Sequence, residues 1–181
     1  MQFSLETALP ILERTPPVLN ELLCGLGDEW TTPNEGPETW SPFDVIGHLI
    51  HGERTDWIPR ARIILEHGEA RPFDPFDRFA QFEESRGKPM KTLLDEFAAL
   101  RDQNLMALQD MNLSPEDLER PGTHPELGSV NLGQLLAAWV VHDLGHIAQI
   151  SRVMAKQYTD EVGVWKNYKN YLGVLCDRVQ V

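Results

Sequence analysis

The chain has 181 residues, enough for one continuous hydrophobic core in a single domain spanning 1–181. Hydrophobic residues make up 41% and charged residues 24%, as in an ordinary globular protein; a net charge of −12 with no cluster of Lys and Arg excludes a nucleic-acid-binding surface. No apolar run is long enough to span a membrane and Met1–Glu6 lacks a basic leader segment, so the expected setting is the cytoplasm.

Leu5, Leu9, Leu12, Val18, Leu19, Leu22 and Leu23 recur at helical spacing and predict a first helix over roughly 4–26. Pro16-Pro17 is expected to bend or break it, because proline removes a backbone donor and crowds the preceding turn. Ser41-Pro42-Phe43-Asp44 combines an N-cap, a proline at the first helical position and an acid at the third. The second helix it opens is predicted to run to about Glu66 and to end near Gly68. A long connection, Gly68 to Pro89, carries Pro72, Phe73, Pro75, Phe76, Phe79 and Phe82 and is expected to pack along the other helices. Met90 to about Met111 forms a third helix through Leu93, Leu94, Phe97, Leu100, Leu105 and Leu108. Ser114-Pro115-Glu116-Asp117 starts only a short turn. Asn131-Leu132-Gly133-Gln134 has the form of a capping box and opens a fourth helix to about Gln157. A final helix is predicted over about 162–179, with Trp165, Tyr168, Tyr171 and Leu172 as a packing stripe.

No segment alternates with period two. The fold class is therefore all-α: a four-helix bundle with a long crossover between helices two and three and an additional C-terminal helix. Cys24 and Cys176 lie in apolar contexts and read as buried free thiols, with a disulfide between the terminal helices as the alternative. Trp30, Trp40, Phe73, Phe76 and Phe79 are expected to close the end of the core rather than to line an entrance.

At 100° per residue, Leu132, Leu136, Trp139, Val140, Ile147, Ile150 and Met154 form the apolar stripe of the fourth helix. His142 and His146 stand one turn apart on its shoulder and can converge on one metal ion. Asp143 falls near the centre of the stripe, where it needs a cation, a liganding histidine or a liganded water. On the second helix, Val45, Ile46, Leu49, Ile50 and Trp57 surround Glu53; His48 lies closer to that stripe than His51, which points further away. A third imidazole would complete a divalent-metal site, and His48, His51, His67 and His124 are the candidates.

Trp40-Ser41-Pro42-Phe43-Asp44-Val45-Ile46-Gly47-His48-Leu49-Ile50-His51-Gly52-Glu53-Arg54, followed by His142-Asp143-Leu144-Gly145-His146-Ile147-Ala148-Gln149-Ile150, resembles the DinB/YfiT-like superfamily. The resemblance implies a four-helix bundle, commonly dimeric, with a three-histidine site for nickel, zinc or another divalent ion. Its metal ligands map onto His48, His142 and His146. It further implies a small-molecule substrate, such as a low-molecular-weight thiol, and S-transfer onto a small electrophile; a metal-dependent hydrolase and a non-catalytic metal-binding or stress-related bundle are the alternatives. Glu53 and Asp143 are the carboxylates placed to orient a ligand or to act as general base, with orienting a ligand histidine or ion pairing weighted above direct catalysis and Arg54 of another chain, Arg60 or Arg62 as the partners expected for Glu53. Gln149 can reach a substrate or stand solvated. Reading His142-Asp143-x-x-His146 as a protease motif would instead require a downstream acid such as Glu161 as third ligand.

Overall fold

The computed structural model describes residues 2–167. Tyr168, Tyr171, Leu172, Cys176 and most of the predicted final helix lie outside them; within them, Gly163–Asn167 is a short 3-10 helix. Among the described residues, no helix is long and apolar enough to cross a membrane.

Helix α1 (Leu5–Leu23) begins at Ser4, whose side chain accepts from the Thr7 amide. Of the expected bend or break, the break does not occur: the helix runs continuously through Pro10, Pro16 and Pro17. The physical reason lies in another helix. Pro16 leaves the buried Leu12 carbonyl without its helical donor, and Arg101 Nη1 takes that place at 2.8 Å. After the single turn α2 (Asp28–Thr31), the capping box of Ser41 and Asp44 opens α3 (Pro42–Thr55).

The second predicted helix is two: α3 and α4 (Trp57–His67) meet at Asp56. Pro59 accounts for the division, since it cannot donate to the Thr55 carbonyl and its ring crowds that group. The crossover then includes α5 (Ala80–Ser85), which packs on α3, and buries Phe73 in the core. Helix α6 (Met90–Asp110), the turn α7 (Pro115–Leu118) and α8 (Leu132–Lys156) follow the predicted bounds closely.

One feature was not expected from the residue pattern. Strands β1 (Pro121–His124) and β2 (Gly128–Asn131) form an antiparallel hairpin, with Pro121 opposite Asn131 and His124 opposite Gly128. Four residues per strand are too few to display a clear alternation. The hairpin lies close against α4, where a Cβ on Gly122 would come within 2.6 Å of Ile64.

The chain is a four-helix bundle in which α6 and α8 each pack on both α1 and α3. Its core has two apolar parts. Leu12, Ile64, Leu105, Leu136 and Trp139 belong to one; Leu19, Ile46, Leu49, Phe97 and Ile150 belong to the other. Between them along the helices lie Glu53, Arg101 and Asp143, all buried. Cys24 is exposed at the C-cap of α1, which corrects the expectation of a buried thiol there: its apolar neighbours Leu22 and Leu23 face inward and it does not.

Close approach of α5 to α3 depends on Gly47, where an added Cβ would collide with Ser85 Oγ. Gly47→Val should therefore push α5 away and lower stability by about 1–3 kcal/mol. Urea unfolding of the two proteins measures this.

Candidate metal centre

Three imidazoles from two helices meet at one point. His48 Nε2 lies 2.9 Å from His142 Nε2, and His146 Nε2 lies 3.1 Å from the same atom. Of the sequence candidates, the structure brings these three together and leaves the others apart. His51, which points away from the cluster, is buried because α5 covers it and Glu84 accepts from its Nδ1 at 3.2 Å. His67 stands at the end of α4 and His124 in β1. The third nitrogen comes from α3, so Glu161 of the protease reading, which is exposed, is not part of the cluster.

Neutral amides orient two of the rings. Gln81 Oε1 lies 3.1 Å from His48 Nδ1, and Gln149 Oε1 lies 2.8 Å from His146 Nδ1. A carbonyl oxygen accepts, so each Nδ1 carries the proton and each Nε2 presents a lone pair to the shared point. His142 Nδ1 is buried without a hydrogen-bond partner. One proton on His142 Nε2 is the most that can be shared among the three facing nitrogens; a cation at that point would satisfy all three.

Burial keeps the rings neutral, as metal ligands must be. It pushes His48 down to about 3, with the neighbouring His146 adding to the effect. It pushes His142 down to about 2, again with His146 and then His48 contributing, and it also lowers His146. Tetrahedral or octahedral ligands at Zn–N distances stand about 2.9–3.4 Å apart, and the two Nε2 separations match that span. Three neutral nitrogen donors suit a divalent transition ion better than calcium or magnesium. The residues present therefore fit such an ion.

Aromatic rings wall the cluster. Trp40 lies 4.7 Å from the His48 ring and stacks on His146 at 6.3 Å, Phe76 meets His48 edge-on at 5.4 Å, and Trp57 meets His142 at 5.1 Å. Trp40 and Phe76 thus line the site, whereas Phe73 joins the core and Phe79 is exposed. The loop before Trp40 is held to α8 by Glu35, which Arg152 binds through two nitrogens and Lys156 through one. Those hydrogen bonds, Arg152 first, bring the Glu35 carboxyl down to about 2 despite its partial burial. His142 and His146 are only half-buried, so the centre has an open side.

Glu53 and Asp143 do not hydrogen-bond to the histidines. Both bind Arg101: Asp143 Oδ2 accepts from Nη1 at 2.6 Å and Oδ1 from Nη2 at 3.0 Å, while Glu53 Oε1 accepts from Nη2 at 2.7 Å and Nε at 3.2 Å. Glu53 also accepts from Asn104 and from the Trp139 indole. The cation foreseen for Asp143 is present. The partner of Glu53 is Arg101 rather than Arg54, Arg60 or Arg62, because Arg101 projects from α6 into the layer between the two apolar cores. Burial raises the Glu53 pKa against the opposing pull of Arg101; burial also works against the Arg101 charge, but the two carboxylates outweigh it and its pKa rises.

Residues 11–150 match the sequence pattern of the DinB superfamily. The chain belongs to the DinB superfamily. A protein of Oceanobacillus iheyensis, provisionally named a metal-dependent hydrolase, is 25% identical over 147 residues, covering 81% of this chain and 83% of the relative. Among solved structures, YfiT from Bacillus subtilis, described as a probable metal-dependent hydrolase with an unusual four-helix bundle topology, aligns with a TM-score of 0.71. It is 20% identical and the alignment covers 88% of this chain and 90% of that one, which shows a shared four-helix-bundle fold.

Arg101 and Gln81 escaped the sequence reading. Arg101 had a signal: it follows Leu94 and Phe97 and precedes Leu105 and Leu108 on the apolar face of α6. Gln81 had none, lying in the irregular crossover.

Two outcomes follow from this geometry. Arg101→Met strands two buried carboxylates and should lower stability by about 3–5 kcal/mol in urea unfolding. The depressed histidines favour the neutral form in the folded state, so their stabilisation is complete above about pH 6.5 and is lost as the pH falls towards 3. In metal-free protein this should remove about 2 kcal/mol per histidine between pH 7 and pH 5, and His142→Asn should flatten the slope of stability against pH by one such share.

Proposed function

We propose that this DinB protein is a metal-dependent enzyme that binds a divalent transition ion through His48, His142 and His146 and activates a small nucleophile there. The observation that carries the proposal is the convergence of three Nε2 atoms with two tautomers fixed by Gln81 and Gln149. A divalent ion with free coordination positions lowers the pKa of an incoming thiol or water, providing a strong nucleophile at neutral pH.

The protein's own residues supply position and environment. Gln81 and Gln149 hold two rings in the liganding orientation. Trp40, Phe76 and Trp57 exclude bulk water from three sides. Glu53 and Asp143, with their oxygens engaged by Arg101 and, at Glu53 Oε2, by Asn104, serve as positioning residues that fix α3 against α8 rather than as proton acceptors. The reading for the nucleophile is a low-molecular-weight thiol transferred to a small electrophile, in line with the family resemblance. Water is the second reading, favoured by the hydrolase descriptions of the Oceanobacillus and Bacillus relatives.

Metal analysis tests the first part. The wild-type protein should retain a divalent ion, and His48→Ala, His142→Ala and His146→Ala should each abolish retention. Gln81→Leu should weaken metal binding by about 10–100-fold. Retention by His48→Ala would overturn the site. In cobalt-substituted protein, added thiol should generate a thiolate-to-metal absorption band; its absence at saturating thiol would turn the reading to water.

A further inference from the structure

The crossover that supplies Phe76 and Gln81 to the metal centre also supplies a cation without a partner. Phe76 packs on His48 and His51, and Gln81 accepts from His48, so Arg78 sits in a short segment fastened to the site on both sides. Asp77 accepts from the amides of Phe79 and Ala80, which fixes the backbone around Arg78. The side chain itself is exposed.

The charge of Arg78 is unmatched. Arg54, Arg60, Arg86, Lys88, Arg101 and Arg152 all stand in ion pairs, whereas Arg78 has no ion pair or hydrogen bond with the described residues. The acids of the neighbouring α5 are already taken, Glu84 by Arg54 and His51 and Glu83 by Arg86. On a chain of net charge −12, an uncompensated cation at this place gives a local attraction for anions.

We propose that Arg78 is the specificity-determining residue of the site and binds a carboxylate carried by the small molecule whose reacting atom enters beside His48, His142 and His146. One guanidinium matches the single charge and planar fork of a carboxylate through two parallel N–H donors. This assignment rests on the metal-dependent reading above and adds the substrate class: small anionic molecules, in the first instance carboxylate-bearing thiols.

The test uses cobalt-substituted protein titrated with 3-mercaptopropionate and with 2-mercaptoethanol, followed through the thiolate-to-metal band. Wild-type protein should prefer the carboxylate thiol. Arg78→Gln should reduce that preference by about three- to tenfold while leaving 2-mercaptoethanol binding unchanged, and Arg78→Lys should restore part of it. An unchanged preference in Arg78→Gln would overturn the assignment. If neither thiol gives a band in the wild-type protein, the thiol reading fails and Arg78 is judged on propionate against 1-propanol, read as shifts of the cobalt d–d bands. Weaker propionate binding in Arg78→Gln then supports the assignment, and equal binding overturns it.

Discussion

All five N–H groups of Arg101 are engaged, and their acceptors come from the three other helices of the bundle: the Leu12 carbonyl of α1, Glu53 of α3 and Asp143 of α8. The rest of the architecture depends on this one buried guanidinium. Its planar fork imposes direction as well as attraction, so α3 and α8 cannot slide past each other without breaking hydrogen bonds inside the core. Asp143 is the residue after His142, and Glu53 lies five residues beyond His48 on the same helix. The distance between the two helices at the histidines is therefore set by polar contacts a turn away, and the metal centre inherits its spacing from the ion layer.

Such a layer is a costly way to hold a core together, since burying ions is expensive and an apolar substitute of similar volume is often as stable. What it supplies here is register. Apolar side chains above and below it would tolerate small shifts, whereas convergence of three nitrogens tolerates few. The same arrangement explains how α1 passes through Pro16 without breaking: the carbonyl that proline leaves unserved becomes an acceptor for the central cation. Helix continuity and site geometry thus share a cause.

The helices were legible because their ends carry explicit chemistry. Ser41 and Asp44, Ser114 and Asp117, and Asn131 and Gln134 form the capping boxes that their sequence forms announce. The two helix-four histidines were legible from spacing, and Asp143 from its place in an apolar stripe. Periodicity preferred His48 to His51 but did not single it out among the four candidate histidines; the family resemblance did. The division at Asp56 could have been read from Pro59, and the buried role of Arg101 from its apolar neighbours on α6. The hairpin and the contact of Gln81 with His48 depend on how the crossover folds back, which local pattern does not encode. The opposite treatment of Trp40 and Phe79, two aromatic loop residues of which one walls the site and one is exposed, has the same origin.

Amides, not carboxylates, steady the imidazoles at positions 48 and 146. A carboxylate behind a ring would push electron density through it and make the far nitrogen a stronger base. An uncharged carbonyl aligns the ring with much less of that push. Any cation gripped by these rings keeps more of its own electron deficiency, which favours polarising an arriving molecule over locking the ion in place.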